Sequence, residues 1–167
     1  MTSLSLDAEQ LYSELRAGVG RLLTPQTVLV GIWSGGAWLA QRLNADLKTD
    51  RRVGTISSTL HRDDFGERGL GAVEAATELP FEIDGARILL IDDVVASGRT
   101  IRAVVNELFD YGRPASVELA VLVDRGGREL PIAPVFAAAK LTLPTNQRLS
   151  LARESDGRFT FAVKETT

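Results

Sequence analysis

The stretch ILLIDDVVASGRT, residues 88–100, constrains the fold more than any other part of the chain. Its four leading residues are all apolar, with no polar alternation. A run of that kind and length fits a strand buried on both faces, as in a parallel sheet covered by helices. Asp92 and Asp93 stand where the strand should emerge, so a turn is expected there. Val94, Val95, Ala96, Ser97, Gly98, Arg99 and Thr100 then lead into a helix over 100–111. Ile101, Val104, Val105 and Leu108 recur at helical spacing as its buried stripe, and Gly112 is placed to cap its end. A strand that buries both faces needs partners on each side, so the remaining chain must supply further strands and helices.

It does so in alternation. Leu11, Leu15, Val19 and Leu22 mark an amphipathic first helix, stopped by Thr24 and Pro25. Residues 28–32 form an apolar run of strand length, followed by a turn at Trp33, Ser34, Gly35 and Gly36. Residues 37–47 read as a helix with Leu39, Ala40, Leu43 and Leu47 inward. Residues 53–60 read as a strand and 61–80 as a long polar loop. Residues 117–123 form another buried strand, and shorter strands are expected near Val135, Leu149 and Phe159. Strands alternating with helices predict an α/β fold with a mainly parallel sheet, and 167 residues fit one domain spanning 1–167. Ligands in such folds bind beyond the carboxyl ends of strands. The loops after Ile32, Leu60, Ile91 and Val123 are therefore the candidate sites.

The loop after Ile91 has the richest chemistry. A helix N-terminus near Gly98 offers free backbone N–H groups and the positive end of the helix dipole to an anion. Gly98 allows close approach of the backbone. The hydroxyls of Ser97 and Thr100 can donate to phosphate oxygens, and the carboxylates of Asp92 and Asp93 can accept from sugar hydroxyls. The set matches a ribose 5-phosphate. Gly35 and Gly36 offer a second backbone anion site after the first core strand. Taken one at a time, these features have plainer readings: a helix cap, a tight turn, or an acidic pair of the receiver type holding a metal. The chain has no cysteine and a single histidine, His61. Thiolate and multi-histidine metal sites are thereby excluded, and any divalent ion must be held by oxygen, as Mg²⁺ is. No apolar run is long enough to span a bilayer and the N-terminus lacks a signal-peptide pattern, so a cytoplasmic location without membrane contact is expected. The net charge of −3 gives no overall basic footprint for nucleic acid.

Read as one string, residues 88–100 resemble the PRPP (phosphoribosyl pyrophosphate) signature of type I phosphoribosyltransferases: four apolar residues, two acidic residues, a short variable stretch and a Ser/Thr-Gly-x-Thr ending. The segments VLVGIWSGGAWLAQRL (28–43), HRDDF (61–65), GRPASVELAVLVDRGGRELPI (112–132) and LPTNQ (143–147) are similar to successive motifs of the PyrR family, pyrimidine operon regulators that are also uracil phosphoribosyltransferases. The resemblance runs from the first helix to about Leu151.

It implies a type I phosphoribosyltransferase fold with helices flanking the sheet. A small hood would be built from the C-terminal strands and the first helix. It implies conversion of uracil and PRPP to UMP and pyrophosphate with Mg²⁺. Asp92 and Asp93 would support the cationic ribose and meet the metal only through ribose or water. Residues 94–100 would hold the ribose phosphate, and Ser34, Gly35, Gly36 and Arg62 the pyrophosphate. Arg125 and Arg128 fall in a region the family ties to assembly and RNA contacts. A homo-oligomer and a pyrimidine-operon leader RNA are the implied macromolecular partners. This chain departs from the family where Ser34-Gly35-Gly36 replaces a Thr-Arg-Gly pattern, removing a charged contact, and where His61 replaces a tyrosine. Two other functions stay open: a nucleotide-sensing RNA-binding module with little catalysis, and a transferase acting on a purine base.

Overall fold

The computed structural model describes residues 6–57 and 77–166. Helix α1 spans Ala8–Leu22. Asp7 caps it, its carboxylate accepting from the N–H groups of Glu9 and Gln10 at 3.1 Å each. Strand β1 is Thr27–Ile32, helix α2 is Gly35–Asp46 and strand β2 is Gly54–Ile56. Strand β3 is Arg87–Val95, helix α3 is Arg99–Tyr111 and strand β4 is Ser116–Asp124. Strands β5 (Phe136–Lys140), β6 (Gln147–Arg153) and β7 (Phe159–Glu165) complete the order.

Five strands form one sheet in the order β2-β1-β3-β4-β5, and every pairing in it is parallel. The apolar runs are buried on both faces, as expected for central parallel strands. Leu29, Leu89, Ile91 and Leu122 pack on one side with Leu15 and Val19 of α1 and Leu39 and Leu43 of α2. Val28, Val30, Ile88, Leu90 and Val121 pack on the other with Ile101, Val104 and Leu108 of α3. Alternate residues of one strand thus serve opposite cores, which follows from the two-residue period of a strand.

β6 and β7 form a separate antiparallel hairpin, the hood expected from the resemblance. Leu149, Leu151 and Phe159 join the core of α1 and α2. A polar knot fastens it there. Arg42 on α2 grips the Glu9 carboxylate with two bonds of 2.7 and 2.9 Å. Its guanidinium lies over the Tyr12 ring at 4.0 Å and the Phe159 ring at 5.2 Å. The Phe159 N–H donates to Glu9 at 3.1 Å, and the Tyr12 hydroxyl to Asp46 at 2.6 Å. The Arg42 bond, and beyond it the Phe159 N–H, hold the Glu9 carboxyl below its usual range despite partial burial. Burial, then Asp46, pushes the Tyr12 phenol upward.

Three boundaries differ from expectation. β3 does not turn at Asp92: its ladder with β4 continues through Asp92↔Val121 and Val94↔Val123 to Val95↔Asp124. The ladder resumes at Val94 beyond the acidic pair, and the Asp93 N–H is taken by the Asp92 carboxylate instead, so the chain turns only after Val95. Gly35 and Gly36 are the first residues of α2 rather than part of a preceding turn. The strand expected over 53–60 is confined to Gly54–Ile56 among the described residues, and its end and the loop 61–76 lie outside them.

Candidate functional site

The strand order reverses between β1 and β3, since the chain leaves β1 for β2 on one side and reaches β3 on the other. Doubly wound sheets bind ligands at that reversal, where loops from neighbouring strands diverge and leave a crevice. Two helix N-termini meet the reversal here, α2 after β1 and α3 after β3. Close packing brings them together. A Cβ on Gly36 would lie 2.2 Å from the Ile91 carbonyl oxygen and 3.0 Å from the Asp92 Cα. A Cβ on Gly35 would lie 2.7 Å from a carboxylate oxygen of Asp93. The pairing of two glycines with an acidic pair, which the sequence only hints at, is thus a direct contact. The first-turn N–H groups of α2 have no partners within the helix, and Ser34 makes no side-chain cap bond there. They remain available to an anion.

The turn after β3 offers a second set of helix-start N–H groups. Residues 94–98 line a small open cavity with Asp92 and Thr100. Gly98 has φ +91° and caps α3 from the left-handed region that favours glycine. The Ser97 hydroxyl oxygen accepts from the Arg99 N–H at 3.2 Å, which leaves its proton free to donate to a phosphate. The N–H groups of Thr100 and Ile101 belong to the unpaired first turn.

Asp92 and Asp93 do different work. Adjacent residues of an extended strand point to opposite faces. Asp92 is buried and lines this cavity, and it accepts the Asp93 N–H at 2.9 Å. Asp93 accepts the Val94 N–H at 2.9 Å and, across to the hood, the Leu151 N–H at 3.3 Å. One carboxylate therefore borders the cavity after β3. The other joins that loop to the hairpin and to Gly35.

The other residues singled out in the sequence divide. Arg62 lies outside the described residues. The backbone N–H of Arg125 donates to the Val95 carbonyl at 3.0 Å. Arg128 is engaged within the chain, donating to the Ala96 carbonyl and to Asp124, both at 2.7 Å. Asp124 is partly buried, which raises its carboxyl pKa, but Arg128 and the Gly126 N–H outweigh this and hold it below the usual range. Among the described residues no cluster of three or more Asp, Glu or His could hold a metal, so an ion at this site would have to borrow oxygens from its ligand. No described helix is long and apolar enough to cross a membrane.

Sequence reasoning missed two features. The acid–base spacing of Asp124 and Arg128, four residues apart at a strand end, was a usable signal for the first. The knot of Glu9, Tyr12, Arg42 and Phe159 spans nearly the whole chain and left no local trace.

Comparison with known proteins agrees with this geometry. The model of the phosphoribosyl transferase domain matches residues 9–146. The chain is 50% identical over 174 aligned positions to the Bifunctional protein PyrR of Ralstonia nicotianae, covering 100% of this chain and 99% of that protein. It is 47% identical to the Bifunctional protein PyrR of Pseudomonas entomophila, over 85% of this chain and 83% of that one. Among solved structures it is similar in fold to the HGPRT-ase of Leishmania tarentolae in complex with GMP, with TM-score 0.62 at 16% identity over 85% of this chain and 82% of that one. Two helix N-termini at the reversal of a parallel sheet, with a hairpin packed beside α1 and α2, are parts of one architecture, and the chain belongs to the PyrR family of type I phosphoribosyltransferases.

Proposed function

We propose that this protein is a uracil phosphoribosyltransferase. The observation that carries the reading is the meeting of two helix N-termini and an acidic pair at the sheet reversal. That spacing suits a ligand with a phosphate at one end and a pyrophosphate at the other. The 5′-phosphate of PRPP is held by the N–H groups and hydroxyls of residues 96–100, and the pyrophosphate by the first turn of α2. Asp92 accepts from a ribose hydroxyl. The bond from C1′ to pyrophosphate breaks, and C1′ bonds to N1 of uracil, which gives up its proton. Positive charge gathers on the ribose ring as the leaving group departs, and fixed carboxylates beside it stabilise that charge without reorganising. Asp93 holds the hood backbone at Leu151 over the same ring and so helps exclude water from the cation. Mg²⁺, when bound, would neutralise the leaving pyrophosphate, and Asp92 and Asp93 would meet it only through ribose or water. The oxygen-only donor set of Asp92 and Asp93 fits that ion. The catalyst works in the cytoplasm as one domain in a homo-oligomer.

The test is a nucleobase panel with PRPP and Mg²⁺, scored for nucleotide and pyrophosphate. Uracil should be converted in preference to adenine, guanine and hypoxanthine. Preference for a purine would reject the assignment, and inactivity with every base despite PRPP binding would favour a nucleotide-sensing module.

The relatives are named bifunctional, and the family resemblance makes the second role control of pyrimidine genes through a leader RNA. RNA affinity needs basic side chains gathered on one face. Of the arginines that could gather, Arg128 is bound to Asp124, Arg153 stacks over Trp38 at 4.8 Å, and Arg16 lies 3.9 Å from Asp46. Titration of the operon leader should give salt-dependent binding above that of a scrambled RNA and a response to UMP. Equal affinity for both RNAs would leave the transferase alone.

A further inference from the structure

The phosphate cradle is held from behind by the connection between β4 and β5. Three successive carbonyls are taken by donors from that segment. Val95 accepts from the Arg125 N–H at 3.0 Å, and Ser97 accepts from the N–H groups of Glu129 at 2.9 Å and Leu130 at 3.2 Å. The carbonyl between them, that of Ala96, accepts from the Arg128 guanidinium at 2.7 Å. The other donors to these carbonyls are backbone groups, which substitution leaves in place. Arg128 is the side-chain donor of the set. Its second terminal nitrogen is tied to Asp124 at 2.7 Å, and the other oxygen of Asp124 accepts the Gly126 N–H at 3.0 Å. The pair is largely shielded, with side-chain exposures of 24% for Arg128 and 12% for Asp124.

Peptide geometry gives this brace a consequence. In a planar trans peptide the C=O and the following N–H point in opposite directions, and the peptides of this turn are trans. A carbonyl of Ala96 fixed toward the connection turns the Ser97 N–H away from it. A carbonyl of Ser97 fixed likewise turns the Gly98 N–H away. Residues 96–98 line the cavity, so carbonyls held behind the turn leave N–H groups for the anion in front. If the Ala96 peptide rotated, it would present an oxygen to the phosphate instead, and attraction would become repulsion. We propose that Arg128 is a positioning residue that locks the Ala96–Ser97 peptide with its N–H toward the ligand, and so sets affinity for the 5′-phosphate end of the substrate. The assignment rests on the phosphoribosyl reading of the site. It also explains the residue type. A guanidinium can give one nitrogen to a carbonyl and another to a carboxylate in a fixed plane, whereas an ammonium offers a single point of charge.

The test compares ligands that differ only in the phosphate. Affinities for UMP, ribose 5-phosphate and uridine are measured by calorimetry for wild type, Arg128→Gln, Arg128→Lys and Asp124→Asn, with thermal melting as a check on folding. Losing control of one charge-contacting N–H should weaken UMP and ribose 5-phosphate about tenfold in Arg128→Gln. Uridine affinity should stay within about twofold of wild type by the same reasoning. Arg128→Lys should recover part of the loss, and Asp124→Asn should weaken phosphate binding by less than Arg128→Gln. In kinetics, KM for PRPP should rise while KM for uracil holds. Loss of UMP and uridine by one common factor would mean a general structural role and overturn the proposal. Unchanged UMP affinity in the folded variants would overturn it too. A wild type that binds uridine but neither UMP nor ribose 5-phosphate would instead reject the phosphoribosyl reading beneath it.

Discussion

Gly36→Ala tests the packing that joins the two anion sites. The added Cβ would sit 2.2 Å from the Ile91 carbonyl oxygen, 3.0 Å from the Asp92 Cα and 3.1 Å from the Ile91 carbonyl carbon. All three are backbone atoms of β3, the strand at the centre of the sheet. No flexible side chain can step aside, so α2 must move off the strand by a large part of an ångström. Overpacking of this kind typically costs about 1–3 kcal/mol. For a chain of this size that corresponds to a fall in Tm of roughly 2–12 °C. Activity should fall further than stability, because the displaced helix start carries the pyrophosphate N–H groups away from Asp93. Misplacement of about 1 Å can cost on the order of a hundredfold in rate. Gly20→Ala is the internal control. Gly20 lies within α1, and its added Cβ would meet only the Leu47 Cδ2 at 3.4 Å. Alanine there should stabilise by about 0.5–1 kcal/mol, through lower backbone entropy in the unfolded chain, and leave turnover unchanged. Thermal and urea unfolding with steady-state turnover decide the matter. Wild-type stability and turnover in Gly36→Ala would refute the argument.

Asp92→Asn should lower kcat by about a hundredfold, the loss of one electrostatic contact worth about 3 kcal/mol in the transition state, and Asp93→Asn should also lower it strongly. Circular dichroism should show both variants folded, and wild-type turnover in both would remove the pair from the mechanism. A pH effect follows from Glu9, whose carboxyl is held below its ordinary value of 4.5 by Arg42 first and the Phe159 N–H after it. A depressed folded-state pKa contributes stability that is present above the unfolded value and lost as pH falls through the folded value. Glu9→Gln should therefore be less stable than wild type at pH 7, with the difference shrinking below about pH 4.5. A difference independent of pH in thermal melts would contradict the ionic account of the hood anchor.

The central motif was legible because its signals are local. A continuous apolar run, an acidic pair and a glycine-led helix start lie within residues 88–100, and each reports on the chain beside it. The parallel sheet followed from the same runs. The end of β3 lies later than the charged residues suggest, because the ladder to β4 pairs Asp92 and runs on through Val94 and Val95. The different tasks of the two aspartates depend on Gly35 and Leu151, which are remote in sequence and carry no polar side chain to announce the contact. The family resemblance of the motifs ends near Leu151. Phe159 is nonetheless 3% exposed and packed in the core, since a two-stranded hairpin has little stability until α1 and α2 cover it. Arg128 drew attention for its charge, and its carbonyl partner, Ala96, could not be inferred from residue type.

A crystal structure with UMP tests the central claim most directly. The phosphate should lie against the N–H groups of Ser97, Gly98 and Thr100, with a ribose hydroxyl on Asp92 and the base beneath the β6–β7 hairpin. Gly36 and its neighbours should face the pyrophosphate position, on the side of the ribose away from the phosphate cradle. UMP bound elsewhere, or in this crevice with its phosphate away from residues 96–100, would contradict the account.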